Sequence, residues 1–290
     1  MKIGVTFPQH TIGFDAGVVR DFAATAEGLG FDYIACLDHV LGTAHERREP
    51  SFPPGGIYDE SSIFHEPLTL FAFMAAVTSR IEFVTAVLVL PQRQTALVAK
   101  QAAEIALLSG NRLRLGVGSG WNHIEYESLN TDYATRGRRL EEQVDVLRRL
   151  WSERSLDIDA EFHRIDRASL NPLLDRPVPI WFGGFARVVQ DRCARIGDGM
   201  LWTGNTTLSR RGNEWIRERA AALGRDGDAI GFQAGVAAKE GEVLVDALAA
   251  WEAAGGTHAT VAVDRHLEGA AAVDALPALR RDVDRFISAT

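Results

Sequence analysis

Hydrophobic and polar positions alternate along this chain in two rhythms. Short apolar or alternating runs, bounded by glycine, proline or polar residues, recur at 3–7, 33–37, 82–88, 113–117, 179–182, 199–202, 230–236 and 259–263. Each reads as a strand. Between them the period lengthens to that of a helix. From Thr135 to Trp151, the residues Leu140, Val144, Leu147 and Trp151 recur at steps of 4, 3 and 4 and make one apolar stripe. Arg138, Arg139, Glu141, Glu142 and Arg149 occupy its other face. A second helix is predicted from Gln94 to Leu108, and Ser109-Gly110 follows with a usable C-cap glycine.

Eight strands alternating with about eight helices predict a (β/α)8 barrel; a doubly wound open sheet shares the alternation. The chain 1–290 is read as one such barrel domain. Two segments interrupt the rhythm. Residues 41–63, with Pro50, Pro53, Pro54, Gly55 and Gly56, read as a long loop after the second strand, and 154–176 as an insertion before the fifth. Barrels carry such insertions over the C-terminal ends of their strands, where ligands bind.

Composition narrows the possibilities. The chain has 290 residues, 46% hydrophobic and 24% charged, with a net charge of −8. That balance is globular, and its acidity argues against a surface built to meet nucleic-acid phosphates. Cys36 and Cys193 fit neither a disulfide framework nor a zinc spacing. The first residues read directly as a strand rather than a signal peptide, and no apolar run approaches the roughly 20 residues of a membrane helix. A reducing cytoplasm is the expected location.

Candidate chemistry gathers at strand exits. In Leu113-Arg114-Leu115-Gly116-Val117-Gly118-Ser119-Gly120-Trp121 a strand runs into glycines spaced by single residues. Such a loop can turn backbone N–H groups toward a ligand, although a plain strand-to-helix turn uses the same residues. Trp181-Phe182-Gly183-Gly184-Phe185-Ala186 ends the fifth strand and opens a helix, whose free N–H groups and dipole favour phosphate; a tight turn is again the alternative. On consecutive strands the two can share one phosphorylated cofactor.

Asp38-His39 follows the second strand. A histidine there can exchange a proton near neutral pH, and the aspartate can fix the local geometry. A solvent-satisfied loop histidine is the competing reading. Arg93, after the third strand, reads as solvated, with a negative partner as the alternative. His10, His39, His45, His65 and His123 show neither His-x-His nor His-Glu-x-x-His spacing, so no metal site is expected. Gly118-Ser119-Gly120 is neither a nucleophile elbow nor a Walker loop.

Taken in order, these pieces resemble the bacterial luciferase-like family of flavin- and deazaflavin-dependent oxidoreductases. The resemblance runs through Ala26-Glu27-Gly28-Leu29-Gly30-Phe31-Asp32, Asp38-His39, Glu66-Pro67-Leu68, the glycine loop, residues 136–142 and Pro179-Ile180-Trp181-Phe182-Gly183-Gly184. It implies a (β/α)8 barrel with a flavin-like ring at its C-terminal mouth. In the branch that uses coenzyme F420, Asp38 and His39 would lie beside the ring, with His39 the candidate proton donor. A cis peptide in the third strand would fall at Ala86-Val87 and press on the ring, with Val89 nearby. Gly118, Ser119, Gly120, Gly183 and Gly184 match segments that hold the cofactor.

Two departures matter. The relatives' Arg-His-Pro after strand three is Arg93-Gln94-Thr95 here. The sugar-phosphate dehydrogenase branch has a glutamate where this chain has Trp121, so that residue's role does not carry over. Asn122 and Glu125 follow, with Glu125 read as a helix-start carboxylate.

The expected activity is hydride transfer between F420 and an unidentified small organic substrate. The alternatives are an FMN-dependent monooxygenase and a ligand-binding barrel without turnover. Arg47, Arg48, Phe52, Pro53, Tyr58 and Trp202 are expected to help line the pocket. The resemblance further implies a homodimer and, for reduced cofactor, a flavin or F420 reductase as partner.

Overall fold

All eight strands expected from the alternation are present, and they close on one another as a parallel ring. The computed structural model describes residues 1–44, 58–202, 206–238 and 243–289. The chain runs β1 (Lys2–Thr6), α1 (Ala16–Gly28), β2 (Tyr33–Cys36), α2 (Pro67–Ala75), β3 (Glu82–Val89), α3 (Thr95–Ser109) and β4 (Leu113–Gly118). Next come α4 (His123–Ser128), α5 (Arg136–Ser152), β5 (Leu156–Asp159), β6 (Arg164–Ala168), β7 (Ile180–Gly183), α6 (Arg187–Ile196) and β8 (Gly199–Trp202). The last elements are α7 (Thr206–Ala222), β9 (Gly231–Gly235), α8 (Leu244–Ala253), β10 (His258–Val261), α9 (Ala270–Asp274) and α10 (Leu276–Ala289).

The closed order β1-β2-β3-β4-β7-β8-β9-β10 makes this a (β/α)8 barrel rather than an open sheet. The predicted stripe of α5 is its buried face, and Trp151 Nε1 donates to Ala99 O on α3 at 2.9 Å. Gly110, at φ 73°, ends α3 in the left-handed conformation expected of a C-cap glycine. The insertion before the fifth barrel strand holds an antiparallel hairpin, β5 with β6. It is missed from sequence because both strands are short and β6, Arg-Ile-Asp-Arg-Ala, is mostly exposed. His163 between them ties it down, bonding Glu142 Oε1 at 2.7 Å and Thr95 Oγ1 at 2.5 Å.

Inside the barrel, residue size changes along the strands. Toward the N-terminal ends lie Tyr33, Trp181 and Arg114, whose guanidinium stands 4.1 Å from the Trp181 ring and 5.0 Å from that of Tyr33. Two residues further along, the same faces carry Ala35, Gly183 and Gly116, because side chains on a strand repeat every second residue. The large rings therefore gather at the floor, and the residues toward the C-terminal rim are small. Among the described residues no helix is long and apolar enough to cross a membrane.

Candidate active site

Asp38 and His39, adjacent at the end of β2, point to different tasks. Asp38 is buried, and its Oδ2 accepts from Val89 N at 2.8 Å. Arg93 Nη2 donates to Asp38 Oδ1 at 2.7 Å, while its Nη1 reaches Glu66 Oε1 at 2.9 Å. Glu66 in turn caps α2, accepting from Thr69 N just ahead of Pro67. Burial works to lower the Arg93 pKa, but Asp38 and Glu66 outweigh it and hold it above its ordinary value. The expected solvated Arg93 is thus corrected. The bond from Val89 N holds Asp38 in the buried interior, and a buried carboxylate there needs a paired cation. Asp38 clamps strand ends together and leaves His39 on the rim.

His39 is held by a small polar cluster under an aromatic cover. Its Nδ1 lies 3.0 Å from Glu125 Oε2 and 3.0 Å from the Tyr58 hydroxyl. Glu125 Oε1 accepts from the backbone N–H groups of Val40 at 2.8 Å and Leu41 at 3.1 Å. Asn122 caps α4 through Oδ1, and its Nδ2 donates to Tyr58 OH at 2.8 Å and Thr43 Oγ1 at 2.9 Å. Burial tends to raise the Glu125 carboxyl, yet the bond from His39 and those from the Leu41 and Val40 amides hold it below its usual range. Rings of Tyr58, Phe64 and Trp121 surround the imidazole at centroid distances of 4.2, 5.0 and 5.8 Å. His39 Nε2 makes no hydrogen bond to any described residue.

β3, paired directly with β2, supplies the adjoining wall. Its pairing with β4 shifts register between Thr85 and Leu88, and the Ala86–Val87 peptide is cis, where the resemblance places such a bond. Val87 points toward the neighbouring strands β4 and β7. A Cβ on Gly118 would lie 2.6 Å from Val87 Cγ2, and one on Gly183 2.4 Å from Val87 Cγ1. These glycines are therefore required by the strand-three side chain itself. Gly120, at φ 63°, faces Val89 in the same way, its would-be Cβ 2.6 Å from Cγ1. Val89 is 3% exposed and packs behind the loop.

The rim leaves small side chains and backbone accessible. Ala86, Val87, Ser119, Gly120, Gly183 and Gly184 are all partly exposed. Nothing lies within 4 Å of a Cβ built on Gly235, at the rim end of β9. Gly184 takes φ 144°, and α6 begins three residues beyond it at Arg187 with Ala186 as an N-cap that offers no side-chain bond. A helix start left uncapped presents N–H groups to an anion.

His39, Gly118, Ser119 and Gly183 all sit at C-terminal strand ends of one ring, so the structure brings them to one rim. Trp202, expected to line the pocket, does not. It is 3% exposed, donates from Nε1 to Asn213 Oδ1 at 2.9 Å, and packs on α7, since it alternates with the inward Leu201. Tyr58 is in the His39 cluster; Arg47, Arg48, Phe52 and Pro53 lie outside the described residues. Sequence reasoning missed the Glu125–His39 contact. The available signal was Asn122 and Glu125 three residues apart, which puts a cap and a first-turn carboxylate on the same side of α4.

Comparison with known proteins gives a consistent set. The family model described as luciferase-like monooxygenase matches residues 1–286. An uncharacterized protein of Mycobacterium tuberculosis is 34% identical over 63% of this chain, and the match spans 64% of that relative's length. An F420-dependent glucose-6-phosphate dehydrogenase of Tsukamurella paurometabola is 32% identical over 79% of this chain and 66% of its own. An FMNH2-dependent dimethylsulfone monooxygenase of Pseudomonas fluorescens is 32% identical over 70% of this chain and 52% of its own. An F420-dependent secondary alcohol dehydrogenase, solved with an F420–acetone adduct, shares the fold at a TM-score of 0.75 and 15% identity, over 90% of this chain and 92% of that one.

Proposed function

The chain belongs to the luciferase-like monooxygenase family, and from that premise we propose that it is a coenzyme F420-dependent oxidoreductase acting on a small organic molecule. The observation that carries the reading is one imidazole, its Nε2 unbonded, on the same rim as Val87 and the two glycine turns.

Bound there, the deazaflavin would supply a hydride-accepting or hydride-donating ring carbon. Ser119-Gly120, Gly183-Gly184 and the start of α6 would hold its phosphate by backbone N–H groups. Ala86 and Val87 would back the ring. His39 would exchange a proton with the substrate at Nε2. Tyr58, Phe64 and Trp121 would keep water from the imidazole. Asp38, consumed by Arg93 and Val89, would act only through the strand ends it joins.

The FMN-dependent monooxygenase is the second reading, favoured by the 32% identical dimethylsulfone relative. Equilibrium titration with each cofactor separates the two. The F420 reading expects micromolar or tighter binding of F420, weaker binding of FMN, and no oxygen uptake with reduced F420. Tight FMN binding with none of F420 would reverse it.

A further inference from the structure

We infer that Glu125 is a positioning residue for His39: it fixes the Nδ1–H tautomer and leaves Nε2 bare as a proton acceptor on the rim. This rests on His39 being the proton-exchanging group, but the evidence for it is geometric. Glu125 Oε1 is already the acceptor for two backbone amides, Val40 at 2.8 Å and Leu41 at 3.1 Å. Its other oxygen stands 3.0 Å from His39 Nδ1. Two lone pairs do not face each other at that distance, so a proton lies between them. An ionised carboxylate has none to give, and the proton therefore belongs to the nitrogen. The hydrogen bonds that hold the Glu125 carboxyl below its usual range keep it in that acceptor form.

The rest of the cluster is consistent with this assignment. Tyr58 OH accepts from Asn122 Nδ2 at 2.8 Å and has its own hydrogen to offer Glu125 Oε2, 3.5 Å away. With hydrogen on Nδ1, no acceptor in the cluster confronts another. Among the described residues, the titratable groups facing the imidazole are Glu125 from α4 and Tyr58 from the loop. Asp38, its chain neighbour, is turned away to Arg93. A carboxylate behind an imidazole orients the ring and strengthens its opposite nitrogen as a base.

Glu125→Gln tests this sharply. The glutamine carbonyl must take over the Val40 and Leu41 amides, because its NH2 group cannot accept. The NH2 then points at Nδ1, which is forced to accept, and the ring hydrogen moves to Nε2. Long-range proton–nitrogen NMR of the cofactor-free protein reads this, with His39 assigned by the loss of its signals in His39→Gln. The expected result is Nδ1–H in the wild type and Nε2–H in Glu125→Gln. His65 and His258 should stay unchanged and report an intact fold. Tyr58→Phe, which keeps the carboxylate, should retain Nδ1–H. An Nε2–H tautomer in the wild type, the same tautomer in wild type and Glu125→Gln, or a reversed tautomer in Tyr58→Phe would overturn the assignment. The readout needs neither cofactor nor substrate, so a chain that proved to use FMN would leave it intact.

Discussion

At the floor of the barrel, Gly4, Gly199 and Gly231 stand where a Cβ would come within 2.2 Å of ring atoms of Tyr33 or Trp181. At the rim, Gly118 and Gly183 stand where one would come within 2.6 and 2.4 Å of Val87. The same device serves different ends. On the floor, glycines make room for two large rings that close the interior. On the rim they admit one small, partly exposed side chain, and backbone stays accessible beside it. The histidines differ in parallel. His258, at the floor, meets burial first and then the charges of Arg114, Lys2 and the N-terminus, which push it down to about 3. His39, at the rim, meets a carboxylate. One end keeps an imidazole neutral, and the other sets one against a carboxylate.

The largest expected effect tests the rim. His39→Ala should lower turnover about 10²–10⁴-fold, the usual contribution of a general acid or base, with cofactor affinity changed only a few-fold. Steady-state kinetics beside a binding titration would show it, and equal loss in both would make His39 a binding residue instead. Next comes the clamp between the strand ends. Arg93→Leu leaves Asp38 buried without its cation and should cost about 3–5 kcal/mol in urea unfolding. A cost under 1 kcal/mol would return Arg93 to the surface role its sequence position suggests.

The glycine comparison can be broken directly. Gly199→Ala should destabilise by about 1–3 kcal/mol, because the Trp181 ring is enclosed and cannot yield. Gly183→Ala should cost less, since Val87 is half-exposed, and Val87→Ala in the same chain should restore most of the loss. The smallest effect is a pH slope. An unfolded histidine takes up its proton near 6.5, whereas folded His258 resists until about 3. The unfolded chain therefore binds more protons in that window. The contribution of His258 to stability is complete above 6.5 and is lost as pH falls toward 3. His258→Asn should flatten stability across that window by up to about 1.4 kcal/mol per pH unit.

The barrel was legible because its strands are apolar runs bounded by breakers, and α5 and α3 carry clear stripe and cap signals. The β5–β6 hairpin was not, since exposed residues such as Arg164, Asp166 and Arg167 give no alternation to read. At the site, Gly118 and Gly183 were visible as glycines, but their service to Val87 depends on β3 shifting register, which sequence spacing does not encode. Trp202 was assigned to the wrong face because alternation within a strand fixes relative sides, not which side is inward. The Glu125–His39 contact spans 86 positions and two elements, and the one-residue difference between Asp38 and His39 separates clamp from rim only in three dimensions.

The location of bound F420 in a crystal structure tests the central claim most directly. The account predicts its ring against Ala86 and Val87, with His39 Nε2 within hydrogen-bonding reach of the substrate position and phosphate density at Ser119-Gly120 or Gly183-Gly184. A deazaflavin seated on any other face, or none at saturating concentration, would contradict it.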